Sequence, residues 1–214
     1  MLKAVIFDMD GVMIDSEPVA FRSFDILLKD RGLKYTMDFH KSIQGCVEIE
    51  VAKRLKEFYK LSESAEEILK LKNQIYFTLM EDELEPIEGL FPLLDYVKSK
   101  NLKCALVTGT LRNTTEKILS RLNIKDYFHL IVCGDEVEKG KPDPWVYKYA
   151  VEKLKADSSE CVILEDSDNG ITAAINAHCN VIAVNSNWKD KSQKNIIAYK
   201  DNLNGVDKIL DELL

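Results

Sequence analysis

Lys3-Ala4-Val5-Ile6-Phe7-Asp8-Met9-Asp10-Gly11-Val12 stands near the start of the chain: a short apolar run stopped by two aspartates and a glycine. The run is continuous rather than alternating, which is how a strand buried on both faces of a parallel sheet reads. Residues 103–108, 130–132, 161–164 and 181–184 have the same character. Helical stripes accompany the last four runs: Leu93, Leu94 and Val97; Leu111, Ile118, Leu119 and Leu122; Val146, Tyr149, Ala150, Val151 and Leu154; Ile171, Ala174 and Ile175. Strand alternating with helix predicts an α/β fold, a doubly wound (Rossmann-like) parallel sheet.

One stretch breaks the alternation. Residues 16–84 show only helical patterns. Ala20, Phe24, Leu27 and Leu28 share a face, with Gly32 as a stop; Val51, Leu55 and Phe58 form a second stripe. Ser64 and Glu67 have capping-box spacing, and Ile68, Leu71, Ile75 and Leu79 follow it. The division expected is a catalytic core of residues 1–15 and 85–214 with an inserted α-helical cap domain, 16–84, hinged near 15–18 and 83–89. The cap is expected to close over the core and to carry substrate specificity.

The chain has 214 residues, 46% apolar and 30% charged, which fits an ordinary globular protein. Its formal net charge of −7 disfavours nucleic acid as a partner, and it requires any phosphate site to bring its own positive charge. No apolar run has membrane-spanning length, and the first residues lack the pattern of a signal peptide. Cys46, Cys104, Cys133, Cys161 and Cys179 show no C-x-x-C spacing and read as free, mostly buried thiols. A cytoplasmic location is therefore expected, and a monomer, since nothing demands an apolar interface. His40, His129 and His178 have no paired ligand spacing and read as structural or exposed.

In an open α/β sheet, ligands bind beyond the carboxyl ends of the strands. After the first strand, Asp8 and Asp10 would project to one face, with Gly11 allowing the turn; the alternative is a solvated acidic turn. After the second, Thr108-Gly109-Thr110 has the form of a phosphate cradle at a helix start, or else either threonine caps the helix. Lys141, in Lys139-Gly140-Lys141-Pro142-Asp143-Pro144, brings positive charge just ahead of a helix, unless that stretch is a plain loop. Glu165-Asp166-Ser167 closes the fourth strand with oxygen ligands suited to a hard cation, or with an acidic helix N-terminus.

In that order and placement, these residues resemble the haloacid dehalogenase superfamily, in its subgroup of phosphatases and β-phosphoglucomutases with a helical cap after the first strand. The resemblance spans nearly the whole chain. It implies Asp8 as the nucleophile that takes the phosphoryl group and Asp10 as the acid, then base. Thr108 and Gly109 would hold phosphate oxygens, and Lys141 would neutralise charge between Asp8 and the phosphate. Mg²⁺ would sit on Asp8, Asp10 (by its carbonyl), Glu165 and Asp166. Asp10 favours ester cleavage over dehalogenation, because a departing alkoxide needs a proton. β-Phosphoglucomutases typically carry a histidine ten residues after the acid/base aspartate and a cap arginine for the second phosphate; Ala20 and, in Gly45-Cys46-Val47-Glu48, Glu48 stand there instead. Arg22, Arg54 and Lys72 are nearby cap residues able to compensate. A phosphatase acting on a small phosphate ester, most simply a sugar phosphate, is the expectation, with a phosphosugar mutase as the alternative.

Overall fold

The computed structural model describes residues 1–43, 46, 48–190 and 192–214, with every side chain but that of Glu81. Of the segment weighed against the mutases, Gly45 and Val47 lie outside the described residues. The chain runs β1 (Ala4–Phe7), β2 (Ile14–Asp15), α1 (Glu17–Lys29), α2 (Met37–Ile43), α3 (Glu48–Tyr59), α4 (Ala65–Glu83), β3 (Glu85–Pro86), α5 (Leu90–Ser99), β4 (Lys103–Val107), α6 (Arg112–Leu122), β5 (Leu130–Val132), α7 (Trp145–Leu154), β6 (Cys161–Glu165), α8 (Asp168–Asn176), β7 (Asn180–Val184), β8 (Ile196–Lys200) and α9 (Val206–Asp211). It divides into two compact units, Met1–Asp15 with Glu85–Leu214, and Ser16–Leu84.

The first unit is built on a six-stranded sheet in the order β5-β4-β1-β6-β7-β8, parallel throughout. From β1 the chain winds outward through β4 to β5, then restarts beside β1 with β6 and winds the other way. The reversal puts a topological switch point at the carboxyl ends of β1 and β6. Every residue of β1 and β6 is buried, as continuous apolar runs require. Ala4, Ile6, Ala105, Val107, Cys161 and Ile163 pack on the face covered by Val146, Tyr147, Ala150 and Ile171 of α7 and α8. The sixth strand, β8, was not legible in the sequence: it is a half-buried edge strand in which Tyr199 alone is exposed. The small antiparallel pair β2–β3, which joins the entry to and the exit from the inserted segment, was not legible either.

The second unit is helical and has its own core: Phe24, Leu27, Leu28, Tyr35, Phe39, Leu55 and Ile68 are among its buried residues. Ser64 and Glu67 form the capping box at the start of α4. Two stripes differ from expectation. Phe58 is 63% exposed, so α3 buries Val51, Ala52 and Leu55 instead. On α4 the inward line is Ala65, Ile68, Lys72, Tyr76 and Met80 rather than Leu71, Ile75 and Leu79. A lysine can hold an inward position because its stem is apolar. The Lys72 ammonium pairs with Glu48 at 3.0 Å and lies over the rings of Phe24 and Tyr76. All five cysteines are free thiols. Among the described residues, no helix is long and apolar enough to cross a membrane.

Truncating a fully enclosed side chain costs its transfer energy plus a cavity, so Leu55→Ala should destabilise the protein by about 3 kcal/mol. Phe58→Ala on the same helix should cost about 1 kcal/mol or less. Denaturant unfolding followed by circular dichroism checks the contrast; equal losses would mean that Phe58 is not on the solvent side.

Candidate active site

Register sets the site. Phe7 lies level with Leu106 of β4 and Leu164 of β6, so Asp8, Val107 and Glu165 come next at one height. Alternation sends Ala4 and Ile6 toward α7, and the same parity carries Asp8 there; Cys161 and Ile163 do the same for Glu165. The two carboxylates therefore emerge side by side on the α7 face, where the loop leading into α7 delivers Lys141. The Lys141 ammonium meets Asp8 Oδ1 at 2.5 Å, Glu165 Oε1 at 2.5 Å and the Val107 carbonyl at 3.2 Å. The Lys141–Pro142 peptide is cis. The Gly140 carbonyl accepts from the Asp143 N–H, and the Asp143 side chain accepts from the N–H of Trp145, fixing the turn that starts α7.

Glu165 is fully buried and closes β6 one residue later than the apolar run suggested. Strand geometry persists because its charge is satisfied. Oε1 accepts from Lys141 and from the Tyr147 hydroxyl at 2.6 Å, and Oε2 from the N–H groups of Asp166 and Ser167 and the Ser167 hydroxyl. Ser167 then caps α8 by accepting from the Gly170 N–H. Gly170 is required there, because a Cβ would overlap the Glu165 carboxylate.

Asp10 reaches the site differently from the sequence expectation. The strand stops at Phe7, and residues 9–14 form a turn in which Met9 O accepts from the N–H groups of Met13 and Ile14. Gly11 has φ +78°, and a Cβ on it would run into Asp166, so glycine serves both the turn and the close approach. The Asp10 carboxylate accepts from the Thr110 hydroxyl at 2.7 Å.

Thr108 is buried at the end of β4, and its Oγ1 accepts from the N–H of Thr110. Neither threonine caps α6, whose N-cap residue is Leu111, so the capping alternative is excluded and Thr108-Gly109-Thr110 lies in the loop just ahead of the helix. Gly109 does not need left-handed backbone. The demanding glycine is Gly134, which donates to the Thr110 carbonyl and where a Cβ would strike the Gly109 backbone.

Asp8, Glu165 and Asp166 each present a carboxylate oxygen, all within 4.8 Å of one another. Burial pushes the Asp8 carboxyl up; Glu165, Asp166 and Asp10 add to that, and Lys141 opposes it. Burial, then Glu165, pushes Asp166 up to about 7. Burial alone would lower Lys141, and the facing Asp8 and Glu165 carboxylates overcome it and hold the amine protonated. Three carboxylates against one ammonium leave an excess of negative charge on hard oxygen donors, a set that fits a divalent cation such as Mg²⁺.

The structure thus brings together Asp8, Asp10, Thr108, Gly109, Lys141, Glu165 and Asp166 at the strand ends. Sequence reasoning missed Thr110 as the partner of Asp10, Gly134, Gly170 and Tyr147. Tyr147 was legible in principle: with Ala150, Val151 and Leu154 it completes a stripe at helical spacing, and a buried tyrosine hydroxyl needs a partner. Tyr149, read onto that stripe instead, is partly exposed and stacks on Trp145. His40 belongs to the helical unit, bonded to Glu17 and Tyr35, and His129 accepts from the Cys104 N–H.

The family model of haloacid dehalogenase-like hydrolases matches residues 5–184. A phosphorylated carbohydrates phosphatase of Thermotoga maritima is 36% identical over 176 residues, 82% of this chain and 82% of that protein. The β-phosphoglucomutase of Bacillus subtilis is 32% identical over 181 residues, 80% of this chain and 78% of that one. Among solved structures, a candidate β-phosphoglucomutase of Thermotoga maritima aligns with a TM-score of 0.87 at 32% identity, over 100% of both chains.

Gly170→Ala should force the Glu165 carboxylate out of its nest, destabilising the protein by about 2 kcal/mol or more. Thermal unfolding with a crystal structure of the variant tests this; an unmoved Glu165 would contradict it.

Proposed function

The chain belongs to the haloacid dehalogenase-like hydrolases, and on that premise we propose that it is a Mg²⁺-dependent phosphatase cleaving a small phosphate ester, a sugar phosphate, through an aspartyl-phosphate intermediate. The observation that carries the proposal is the pairing of Asp8 with Lys141 at 2.5 Å beside a second aspartate, Asp10, held by Thr110. One carboxylate is poised as nucleophile against a fixed positive charge, and the other is free of that lysine to handle protons.

In the first step an Asp8 carboxylate oxygen bonds to phosphorus while the phosphorus–ester oxygen bond breaks. Asp10 gives its proton to the departing oxygen. In the second step water attacks the phosphorus, its proton goes to Asp10, and the bond to Asp8 breaks, releasing inorganic phosphate. Splitting the displacement in two lets one site serve both halves, and catalysis then rests on positioning and charge neutralisation. Lys141 offsets charge at the phosphoryl oxygens and on Asp8, while the Thr108 hydroxyl and the backbone near Gly109 orient those oxygens. Asp8, Asp166 and the Asp10 carbonyl would hold Mg²⁺, with Glu165 in support. When bound, the ion supplies charge neutralisation toward the phosphate.

The relatives include a mutase, but Glu48 argues for hydrolysis here. Its carboxylate is paired with Lys72 and offers no positive charge to a second phosphate, and Ala20 cannot provide the imidazole typical of mutases. Substrate choice is assigned, again as a proposal, to the helical unit.

Phosphate release from p-nitrophenyl phosphate should require Mg²⁺, vanish with chelator and return on adding metal. Asp8→Asn should fall to background and Asp10→Asn by about 10²–10⁴-fold. Release undiminished in Asp8→Asn would sink the covalent mechanism. A panel of sugar phosphates should then show release rather than isomerisation; isomerisation of β-glucose 1-phosphate in the presence of its bisphosphate would establish the mutase.

A further inference from the structure

Tyr147 is a fully buried titratable side chain at the site that neither step above uses. Its hydroxyl donates to Glu165 Oε1 at 2.6 Å, the same oxygen that takes the Lys141 ammonium at 2.5 Å, and its ring centroid lies 5.3 Å from the Lys141 nitrogen. Lys141 thus faces two anions, Asp8 on one side and Glu165 on the other. How the ammonium divides between them sets how much positive charge is left for the nucleophile and the phosphate.

We propose that Tyr147 is a positioning residue for Lys141: its hydroxyl shares Glu165 Oε1 and its ring lies beside the ammonium, so that Lys141 keeps its contact with Asp8 while it also bonds Glu165. The proposal rests on the phosphatase reading above. An oxygen that already accepts from a hydroxyl is a weaker acceptor for a second donor, so the hydroxyl lowers the pull of Glu165 on the lysine. The ring lies beside the ammonium and offers it a cation–π contact in a desolvated place. Tyr147 can hold this position because α7 is pinned to the sheet by Val146, Ala150 and Val151, which leaves the tyrosine little freedom. If it were only core filling, phenylalanine would serve equally well.

Tyr147→Phe keeps the ring and removes the donor. For p-nitrophenyl phosphate with Mg²⁺, kcat per folded protein is expected to fall about tenfold, as for loss of a hydrogen bond to a charged acceptor, with KM within about twofold. Tyr149→Phe, on the outer side of the same helix, should leave kcat unchanged. A crystal structure of Tyr147→Phe should show the Lys141–Asp8 contact lengthened while the Lys141–Glu165 contact is kept. That second measurement needs no activity: if the wild-type protein releases no phosphate from any ester, the phosphatase reading fails and the lysine position alone decides this inference. Tyr147→Leu takes the place of the phenylalanine variant in both measurements should that one not fold, with the same shift and at least as large a loss expected. Unchanged kcat, or a Lys141–Asp8 contact that stays as it is, overturns the proposal.

Discussion

Lys141 has three ammonium protons and three acceptors, each from a different strand end: Asp8 after β1, the Val107 carbonyl on β4 and Glu165 on β6. These are three neighbouring strands of the sheet. A single positive charge therefore ties together the place where the winding direction reverses. Buried carboxylates this close are tolerable only if paired and hydrogen-bonded, and removing one partner of such a set leaves an uncompensated charge. The glycines around the site make room for its close approaches. Gly170 leaves room for Glu165, Gly11 leaves room for Asp166, and Gly134 packs on the Gly109 backbone.

The lysine does not cancel all of the charge. Burial drives Asp8 and Asp166 up, the latter to about 7, which expresses electrostatically what the geometry shows: more carboxylate than one ammonium can serve. A hard divalent cation held there, as proposed above, would relieve the repulsion and make the site attractive to a phosphoryl group. This matters for a chain with a formal net charge of −7, whose overall charge disfavours anions. Without such an ion the clustered carboxylates are costly to stability, and that cost is the reverse side of having charges fixed in advance.

The parts of this arrangement that follow from local pattern were legible in the sequence. Continuous apolar runs marked the buried strands, and acidic, hydroxyl and basic residues at their carboxyl ends marked the site. What escaped depends on tertiary geometry. Edge strand β8 has a half-buried, mixed composition that no periodicity separates from a loop. The turn that carries Asp10 replaces the pleat that two-residue spacing suggested, since the strand had already ended. On α4, a lysine occupies an inward position because Glu48 and two aromatic rings receive its ammonium, and no hydrophobic pattern scores a lysine as core. Tyr147's inward position was legible from the helical spacing of α7, but its partner was not, because only the fold places Glu165 opposite its hydroxyl.

The site also explains where the chain could accept an insertion. The turn after Asp8 ends in β2, and the segment returns as β3, hydrogen-bonded antiparallel to it, with Ile14 opposite Pro86. Entry and exit are thus neighbours within the sheet-bearing unit, reinforced by the bond from the Ile87 N–H to the Met13 carbonyl. Joining two adjacent ends through a long segment costs little more than joining them through a short one, because closure entropy grows only logarithmically with length. The inserted residues offset their own ordering with the separate core around Leu55 and Ile68. Such a connection leaves the register of β1 with β4 and β6 untouched, so the inserted sequence can vary without moving Asp8 or Lys141. The strand-end residues and the inserted segment are in that way encoded in separate parts of the chain, and this is why the strand ends could be read for chemistry while residues 16–84 read only as helix.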